Sequence, residues 1–294
     1  MKKKESRNKY SIKLNKKQLL YATCVIILCV VFCIWQNNDL EVTNYTYSSD
    51  DITSDFNGYR IVQVSDLHNK NFGTKSNRLI EAIQKFQPDM IVITGDVVDS
   101  NHTKLDVAID FLKQAATIAP CYYITGNHEL WLEKEVRSDL MTRITDTGVI
   151  LLDDEVVEII PNNNSNENFS KSNSFILVGL DNGSLYGDTL HKLTKDIDEN
   201  QFVLLLAHEP QNFENYSNEN IDLILSGHAH GGQIRLPFIG GLVAPDQGFM
   251  PEYTKGFHLR NDVSMIISRG LGNSIIPVRL FNRPEIVCIE LQSK

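Results

Sequence analysis

Five short polar clusters hold most of the histidines of this chain, together with aspartate and asparagine side chains. Each cluster directly follows an apolar run that is typical of a buried strand. Carboxylate, imidazole and amide groups without a thiolate suit Mn, Fe, Zn or similar divalent ions. The clusters are Asp66-Leu67-His68, Gly95-Asp96 with Asp99 close behind, Gly126-Asn127-His128-Glu129, His208, and Gly227-His228-Ala229-His230-Gly231-Gly232.

Any one of these clusters alone would be ordinary turn or helix-cap chemistry. Five of them in order, each at the end of a predicted strand, indicate a shared site instead. The candidate ligands outnumber those of one tetrahedral ion and match two ions that share a bridging carboxylate. Two ions about 3.5 to 4 Å apart can clamp an in-line displacement at phosphorus and generate a hydroxide nucleophile at neutral pH.

The elements that must position these clusters alternate between strands and helices. Apolar runs at 59–65, 90–94 and 121–125 predict strands, and the spacing of Leu79, Ile83 and Phe86 predicts a helix between the first two. This alternation favours an α/β core with parallel strands, whose carboxyl ends converge on one crevice. Further strands are expected at 149–152, 156–160, 175–180, 202–207 and 221–225, with several more between 258 and 291.

Two connecting segments carry their own predictions. The polar–apolar alternation at 41–47 and the strand at 59–65 predict a hairpin that opens the domain. The stretch 161–174, rich in Asn and Ser, predicts a mobile surface loop.

The amino-terminal region reads as a membrane anchor. Residues 1–17 hold eight basic side chains against Glu5, and the following LLYATCVIILCVVFCIW run is long enough to cross a bilayer. A buried core helix and a cleaved signal peptide are the less favoured alternatives. The positive-inside rule predicts a cytoplasmic tail (1–17), a transmembrane anchor (18–36) and an extracytoplasmic domain (40–294).

Composition limits the partners of the domain. The formal net charge is -9, and the basic tail leaves the remainder at -16, which argues against nucleic acid as a partner. Two of the five cysteines, Cys121 and Cys288, fall outside the apolar run and within strand-like segments. Buried free thiols are favoured over a disulfide between them.

The motifs DLH, GDVVD, GNHE, a lone His after a strand, and GHAHGGQ together resemble those of the calcineurin-like metallophosphoesterase superfamily. A carboxyl-terminal GLG segment followed by Arg279 and NRPE (282–285) is similar to that of small membrane-anchored bacterial-type members. The resemblance implies an α/β fold, a metallophosphoesterase β-sandwich flanked by helices and preceded here by one transmembrane helix. It also implies that Asp66, His68 and His230 hold one divalent ion, that Asn127, His208 and His228 hold the other, and that Asp96 bridges them.

The same resemblance suggests roles for residues beside the ligands. His128 corresponds to a histidine that contacts the substrate phosphate and protonates the leaving oxygen. Asp99 is expected either to orient His128 or a ligand, or to cap a helix. Glu129 is expected to be structural, His102 and His191 to lie on the surface, and His258 has no assigned role.

The function that the sequence favours is that of a two-metal-dependent phosphoesterase, preferentially a phosphodiesterase, which hydrolyses a P–O bond by a metal-bound hydroxide at the cell surface. The alternative is a pyrophosphatase that acts on a lipid-linked nucleotide sugar such as UDP-diacylglucosamine. A non-catalytic metal-binding scaffold ranks lower, since no metal position departs from the motifs. A haem or single-zinc site would leave Asp66, Asp96 and Asn127 unexplained.

One apolar segment bears on the substrate, a phosphoester that is expected to be lipid or cell-wall linked. Residues 236–250 hold Leu236, Phe238, Ile239, Phe249 and Met250 among glycines. This segment either packs against the core of its own domain or borders the metal site and accepts an amphiphilic phosphodiester near the membrane.

Overall fold

The computed structural model describes residues 15–161, 173–274 and 277–294, so the loop predicted at 161–174 lies for the most part outside the described residues. Helices and strands alternate through the first half of the chain, as the apolar periodicity predicts. The helices are α1 (Lys16–Asn38), α2 (Asn77–Phe86), α3 (Leu105–Ala115), α4 (Asn127–Leu130), α5 (Lys134–Thr145), α6 (Thr189–Thr194) and α7 (Phe213–Tyr216).

The described residues also form sixteen strands. In chain order they are β1 (Glu41–Ser49), β2 (Arg60–Val64), β3 (Met90–Thr94), β4 (Cys121–Ile124), β5 (Ile150–Leu151), β6 (Glu155–Ile159), β7 (Phe175–Gly179), β8 (Val203–Leu206), β9 (Leu223–Ser226), β10 (Arg235–Leu236), β11 (Gly240–Gly241), β12 (Val243–Ala244), β13 (Gly248–Phe249), β14 (Gly256–Arg260), β15 (Val263–Ile267) and β16 (Glu285–Ser293).

Two six-stranded sheets form the body of the domain. The first has the order β1-β16-β2-β3-β4-β5, and the second has the order β14-β15-β9-β8-β7-β6. Alternate residues of each central strand pack between the sheets, as Met90 and Val92 of β3 do, and the others face the helices, as Ile91 and Ile93 do. Helices α2, α3 and α5 cover the outer face of the first sheet, and α6 and α7 cover that of the second. The predicted sandwich flanked by helices is confirmed.

The predicted opening hairpin is wrong. β16 lies between β1 and β2, in parallel with β1 and antiparallel to β2. The first two strands run in opposite directions, as in a hairpin, but the last strand of the chain separates them. The alternation at 41–47 specifies a strand, but the strand that pairs with it lies more than 240 residues away in the sequence.

The strand directions place the metal-ligand clusters at one end of the molecule. β2, β3 and β4 are mutually parallel. β16 is antiparallel to β2 and parallel to β1, so β1 runs in the direction opposite to β2, β3 and β4. The carboxyl ends of β2, β3 and β4 therefore lie at the same end of the sheet as the amino end of β1. Helix α1 joins the domain at that end, because only Asp39 and Leu40 separate it from β1.

Helix α1 is long and apolar enough to cross a membrane. Its amino end is closed by a capping box, in which Asn15 Oδ1 accepts from the Gln18 backbone N–H and Gln18 Oε1 accepts from that of Asn15. The helix extends two residues beyond each end of the predicted anchor. The apolar stretch therefore passes into folded structure without a flexible linker.

Candidate metal centre

The first ligand group comes from the loops that follow β2 and β9. His68 Nε2 lies 3.1 Å from His230 Nε2, and Asp66 Oδ1 lies 3.5 Å from the same His230 atom. All three side chains are buried. Two imidazole nitrogens and a carboxylate oxygen therefore converge on one point, which is the donor set and spacing of a divalent-ion site.

The second ligand group joins the loops after β4, β8 and β9. Asn127 Oδ1 lies 2.8 Å from His228 Nδ1 and 3.1 Å from His208 Nε2. His208 Nδ1 lies 2.7 Å from the carbonyl oxygen of Thr94, so this nitrogen must carry the proton. The lone pair of His208 Nε2 consequently faces the group, as metal ligation requires.

Asp96 lies between the two groups. Its Oδ2 atom is 3.6 Å from His68 Nε2 of the first group and 3.4 Å from His208 Nε2 of the second. Burial alone would raise the pKa of Asp96, but the neighbouring His208 and His68 hold it well below its usual range, and the carboxylate is ionised. One carboxylate thus faces both groups, which is the position of a bridging ligand.

The electrostatics of the centre also suit cations. Burial and the neighbouring His68 hold the pKa of His230 well below its usual value, so this imidazole is neutral. Burial opposes the protonation of His208, yet Asp96 raises the pKa of His208 above its usual value. The centre therefore favours positive charge beside Asp96. A divalent ion would supply that charge and would displace the proton from His208. The residues present fit two divalent ions.

The loops that carry the ligands are locally strained. Five of the seven candidate ligands have positive φ angles, a conformation that costs energy in residues with a side chain. Contacts with surrounding residues must hold these turns in place. The five residues are Asp66 (52°), His68 (46°), Asp96 (54°), His228 (63°) and His230 (47°).

Glu129 supplies one of those surrounding contacts. Its buried carboxylate accepts from the backbone N–H groups of Asp96 (2.9 Å), Gly126 (2.7 Å) and Val98 (3.3 Å). It thereby ties the loop after β3 to the loop after β4. Glycine at position 126 lets the two loops lie this close together, because a Cβ atom there would lie 2.3 Å from Asp96 Oδ1.

His128 borders the ligand groups with a fixed proton arrangement. Its Nδ1 accepts from the backbone N–H of Ser100 at 3.1 Å, so that nitrogen is unprotonated and Nε2 carries the proton of the neutral ring. Nε2 lies 3.2 Å from Ser274 Oγ. The exposed indole of Trp131 packs beside the ring, with centroids 5.0 Å apart. His128 is thus held as a donor through Nε2 at the rim of the centre.

Asp99 lies farther from the chemistry than the ligands do. Its Oδ1 atom is 3.9 Å from His128 Nδ1, beyond hydrogen-bonding distance, and accepts from the Asn101 backbone N–H at 2.8 Å. Helix α3 begins at Leu105 with Lys104 as its N-cap, so the helix-capping alternative is wrong. Ser100, next in sequence, makes the contact with His128 that was expected of Asp99.

Two residues that touch the centre were assigned no role from the sequence. Asp246 Oδ2 lies 3.0 Å from His228 Nε2, the ring nitrogen that faces away from Asn127. Arg279 is fully buried, donates to the carbonyl oxygens of Arg269 and Gly272, and places Nη2 3.4 Å behind His230 Nδ1. Arg279 belongs to the recognised carboxyl-terminal segment, but Asp246 sits in an apolar stretch with no motif that could have identified it.

The remaining histidines and cysteines stay away from the centre. The imidazoles of His102 and His191 are exposed, and His191 pairs with Glu219. His258 is a half-buried residue of β14, and its Nε2 atom lies 3.1 Å from the carbonyl oxygen of Lys255. Cys121 and Cys288 are buried free thiols, as the sequence favours, and burial raises the pKa of each.

Comparison with known proteins agrees with this geometry. The model of the calcineurin-like phosphoesterase family matches residues 59–232. An uncharacterized metallophosphoesterase of Bacillus subtilis, YkuE, is 29% identical over 86% of this chain and 86% of its own length. One from Campylobacter jejuni is 30% identical over 94% of this chain and 71% of its own length, and the phosphodiesterase YaeI of Escherichia coli is 29% identical over 79% and 82%. The chain belongs to the calcineurin-like phosphoesterase family and is a metal-dependent phosphoester hydrolase.

Proposed function

We propose that this protein hydrolyses phosphodiesters with two divalent ions bound by Asp66, His68, Asp96, Asn127, His208, His228 and His230. The observation that carries the proposal is the position of Asp96, whose Oδ2 atom is within 3.6 Å of a histidine nitrogen from each ligand group. The choice of a diester is supported by the phosphodiesterase from Escherichia coli, with which the chain shares 29% identity.

The residues divide into those that hold ions and those that handle the substrate. When bound, the ions would polarise the phosphoryl oxygens and lower the pKa of water, which supplies a nucleophile at neutral pH. His128 donates a hydrogen bond from Nε2–H to the charge that develops on the leaving oxygen, because Ser100 occupies Nδ1 and keeps the proton on Nε2. Trp131 gives the rim an exposed aromatic face for the organic part of the diester.

The proposal includes a place in the cell. The basic tail (1–17) lies in the cytoplasm, the anchor (18–36) spans the membrane, and the domain (40–294) works at the outer face on a phosphoester presented there. Eight basic side chains before the span and the apolar helix support this orientation.

The test compares the full chain in detergent before and after chelation and reloading with Mn, using bis-p-nitrophenyl phosphate and p-nitrophenyl phosphate. Wild type should regain turnover with about two ions per chain and prefer the diester. Asp96→Asn should lower kcat by at least about 100-fold, because the bridging charge is lost.

Asp198→Asn is the matched control, since this exposed aspartate precedes the amino end of β8, whereas His208 follows the carboxyl end of that strand. His128→Ala should keep the metal content and lose about 100-fold in kcat, because the Nε2–H donor is removed. Turnover that survives chelation, or that is unchanged in Asp96→Asn, would overturn the proposal.

A further inference from the structure

The last turn of α1 is built into the catalytic domain. Gln36 is buried, and its Oε1 atom accepts from the Asn282 backbone N–H at 3.2 Å. Asn37 Oδ1 accepts from the Arg279 backbone N–H at 3.0 Å and from Asn273 Nδ2 at 3.1 Å. These bonds join the helix to the segment 273–282, whose Arg279 side chain lies beside His230. Helix and domain therefore meet at a fixed angle.

Cationic side chains complete the same joint. Lys70 Nζ donates to the carbonyl oxygen of Asn37, and Arg78 Nη1 donates to that of Asn38 at 3.3 Å. Carbonyl groups at a helix carboxyl end lack intrahelical partners, and positive charge is favourable there. The end of the membrane helix is therefore satisfied by the domain instead of by solvent.

The domain also touches α1 above the joint, within the apolar run. The Phe281 ring lies 5.6 Å from the ring of Phe32, and the Arg283 guanidinium lies 5.4 Å from the Trp35 ring. Phe32 precedes Gln36 by four residues, or about 6 Å along the helix axis. Phe281, itself 56% exposed, consequently reaches the level at which the helix enters lipid.

The apolar loop, residues 236–250, continues from this contact. The backbone N–H of Arg235, at its root, donates to the carbonyl oxygen of Leu280 at 3.0 Å. Phe238 is fully exposed and Phe249 is 74% exposed, so these side chains do not pack against the core of their own domain. Exposed apolar side chains thus lie both on the segment that contacts α1 and on the loop that is bonded to that segment.

The metal centre lies at the same end of the molecule. The ligands follow the carboxyl ends of strands whose neighbour β1 begins beside α1. Asp246, within the apolar loop, contacts His228 at 3.0 Å. The loop therefore spans the distance between the ligand group and the anchor side of the domain.

We infer that the apolar loop dips into the bilayer beside α1, so that the metal centre faces the lipid headgroups and takes phosphoesters carried by membrane lipids. The substrate class rests on the proposed function, whereas the membrane contact does not. A rigid joint and an inserted loop give two points of attachment, which together fix the height of the centre above the membrane.

The contact is tested by fluorescence in nanodiscs whose phospholipids carry brominated acyl chains, with the full chain in a Trp35→Phe/Trp131→Phe background. Phe238→Trp then supplies the single indole. Its emission should fall by at least about half relative to unbrominated nanodiscs. Wild type, in which Trp35 lies at the end of the span, confirms that reconstitution succeeded.

Ile160→Trp is the matched control. Ile160 is 45% exposed and follows β6 at the opposite end of the second sheet, because β6 runs antiparallel to β7. Its emission should change by less than about a tenth. Equal emission of the Phe238→Trp indole in both lipids, alongside quenched wild type, would overturn the membrane contact.

The substrate class is tested with Phe238→Ser/Ile239→Ser. Hydrolysis of a phospholipid diester in nanodiscs should fall at least about 10-fold, while hydrolysis of bis-p-nitrophenyl phosphate should fall less than about 2-fold. Equal losses would overturn the lipid substrate. Wild type that cleaves only the soluble diester would overturn it as well and leave the proposed function standing, whereas wild type that cleaves neither would overturn the proposed function.

Discussion

At the scale of single residues, the centre concentrates strain where the ligands lie. Turns at positive φ aim Asp66 and Asp96 of the first sheet and His228 of the second toward one volume. Such turns hold only when neighbours fix them, and Glu129 does so with three backbone hydrogen bonds. The strained ligand loops and the buried residues that support them thus form one unit.

Asp246→Asn tests whether the contact behind His228 supports metal binding. The carboxylate is 3.0 Å from His228 Nε2, and loss of such a partner typically weakens metal affinity by about 10- to 100-fold. We expect the tighter ion to be retained and the ion at His228 to bind at least about 10-fold more weakly. Titration of the chelated full chain with Mn, followed by calorimetry, measures both steps.

Asp262→Asn controls for the backbone, since Asp262 is also exposed and has φ 67°, close to the 56° of Asp246. Asn tolerates this conformation, so neither change strains the turn. An identical titration for Asp246→Asn and wild type would show that the contact does not support the ion.

The sequence could predict which seven side chains come together as candidate ligands, because their types recur at strand ends. It could not predict Ser100 or Asp246 as partners of His128 and His228, because one acts through its backbone N–H and the other comes from a loop with no motif. Contacts of this kind depend on tertiary placement, which local patterns do not encode.

At the scale of elements, the periodic strands and helices were predictable and their neighbours were not. The apolar runs specify β2, β3 and β4 together with the clusters that follow them. The insertion of β16 between β1 and β2 is a long-range pairing, and the spacing of residues 41–65 carries no trace of it. The same insertion brings the segment before β16 against α1.

Asn37→Ala tests the joint between α1 and the domain. Removing Oδ1 leaves the Arg279 backbone N–H without its partner and takes one of two acceptors from Asn273 Nδ2, which costs roughly 1 to 3 kcal/mol of unfolding free energy. We also expect weaker binding of the ion at His230, because Arg279 lies behind that ring. Thermal unfolding in detergent and Mn titration measure the two effects.

Asn38→Ala is the matched control, because the one acceptor of Asn38 Nδ2 among the described residues is the carbonyl oxygen of Ile34 in its own helix. This exposed change should alter stability by less than about 0.5 kcal/mol. If both alanine variants match wild type in unfolding and titration, the helix is only a tether.

At the scale of the whole molecule, the charge distribution and the sheet topology have separate effects on how the domain is placed. In the proposed arrangement, the basic tail determines which side of the membrane the domain occupies. The strand directions place the candidate ligands at the end of the domain that α1 joins, which is the end that would face that membrane. A change in the tail should therefore move the domain across the membrane without disturbing the centre.

Replacing the seven lysines of the tail and Arg7 with glutamine tests this division. Without positive charge before the span, a substantial fraction of chains should insert in the opposite orientation, with the domain in the cytoplasm. Protease added to intact cells should digest the domain of wild type completely and leave that fraction protected.

Replacing Glu5 with glutamine controls for loss of charge of the other sign and should leave the orientation unchanged. After detergent lysis, the variant should cleave the soluble diester as wild type does. A domain that is protected in wild-type cells would contradict the outward orientation, whereas loss of turnover in the lysed variant would contradict the separation of tail and centre.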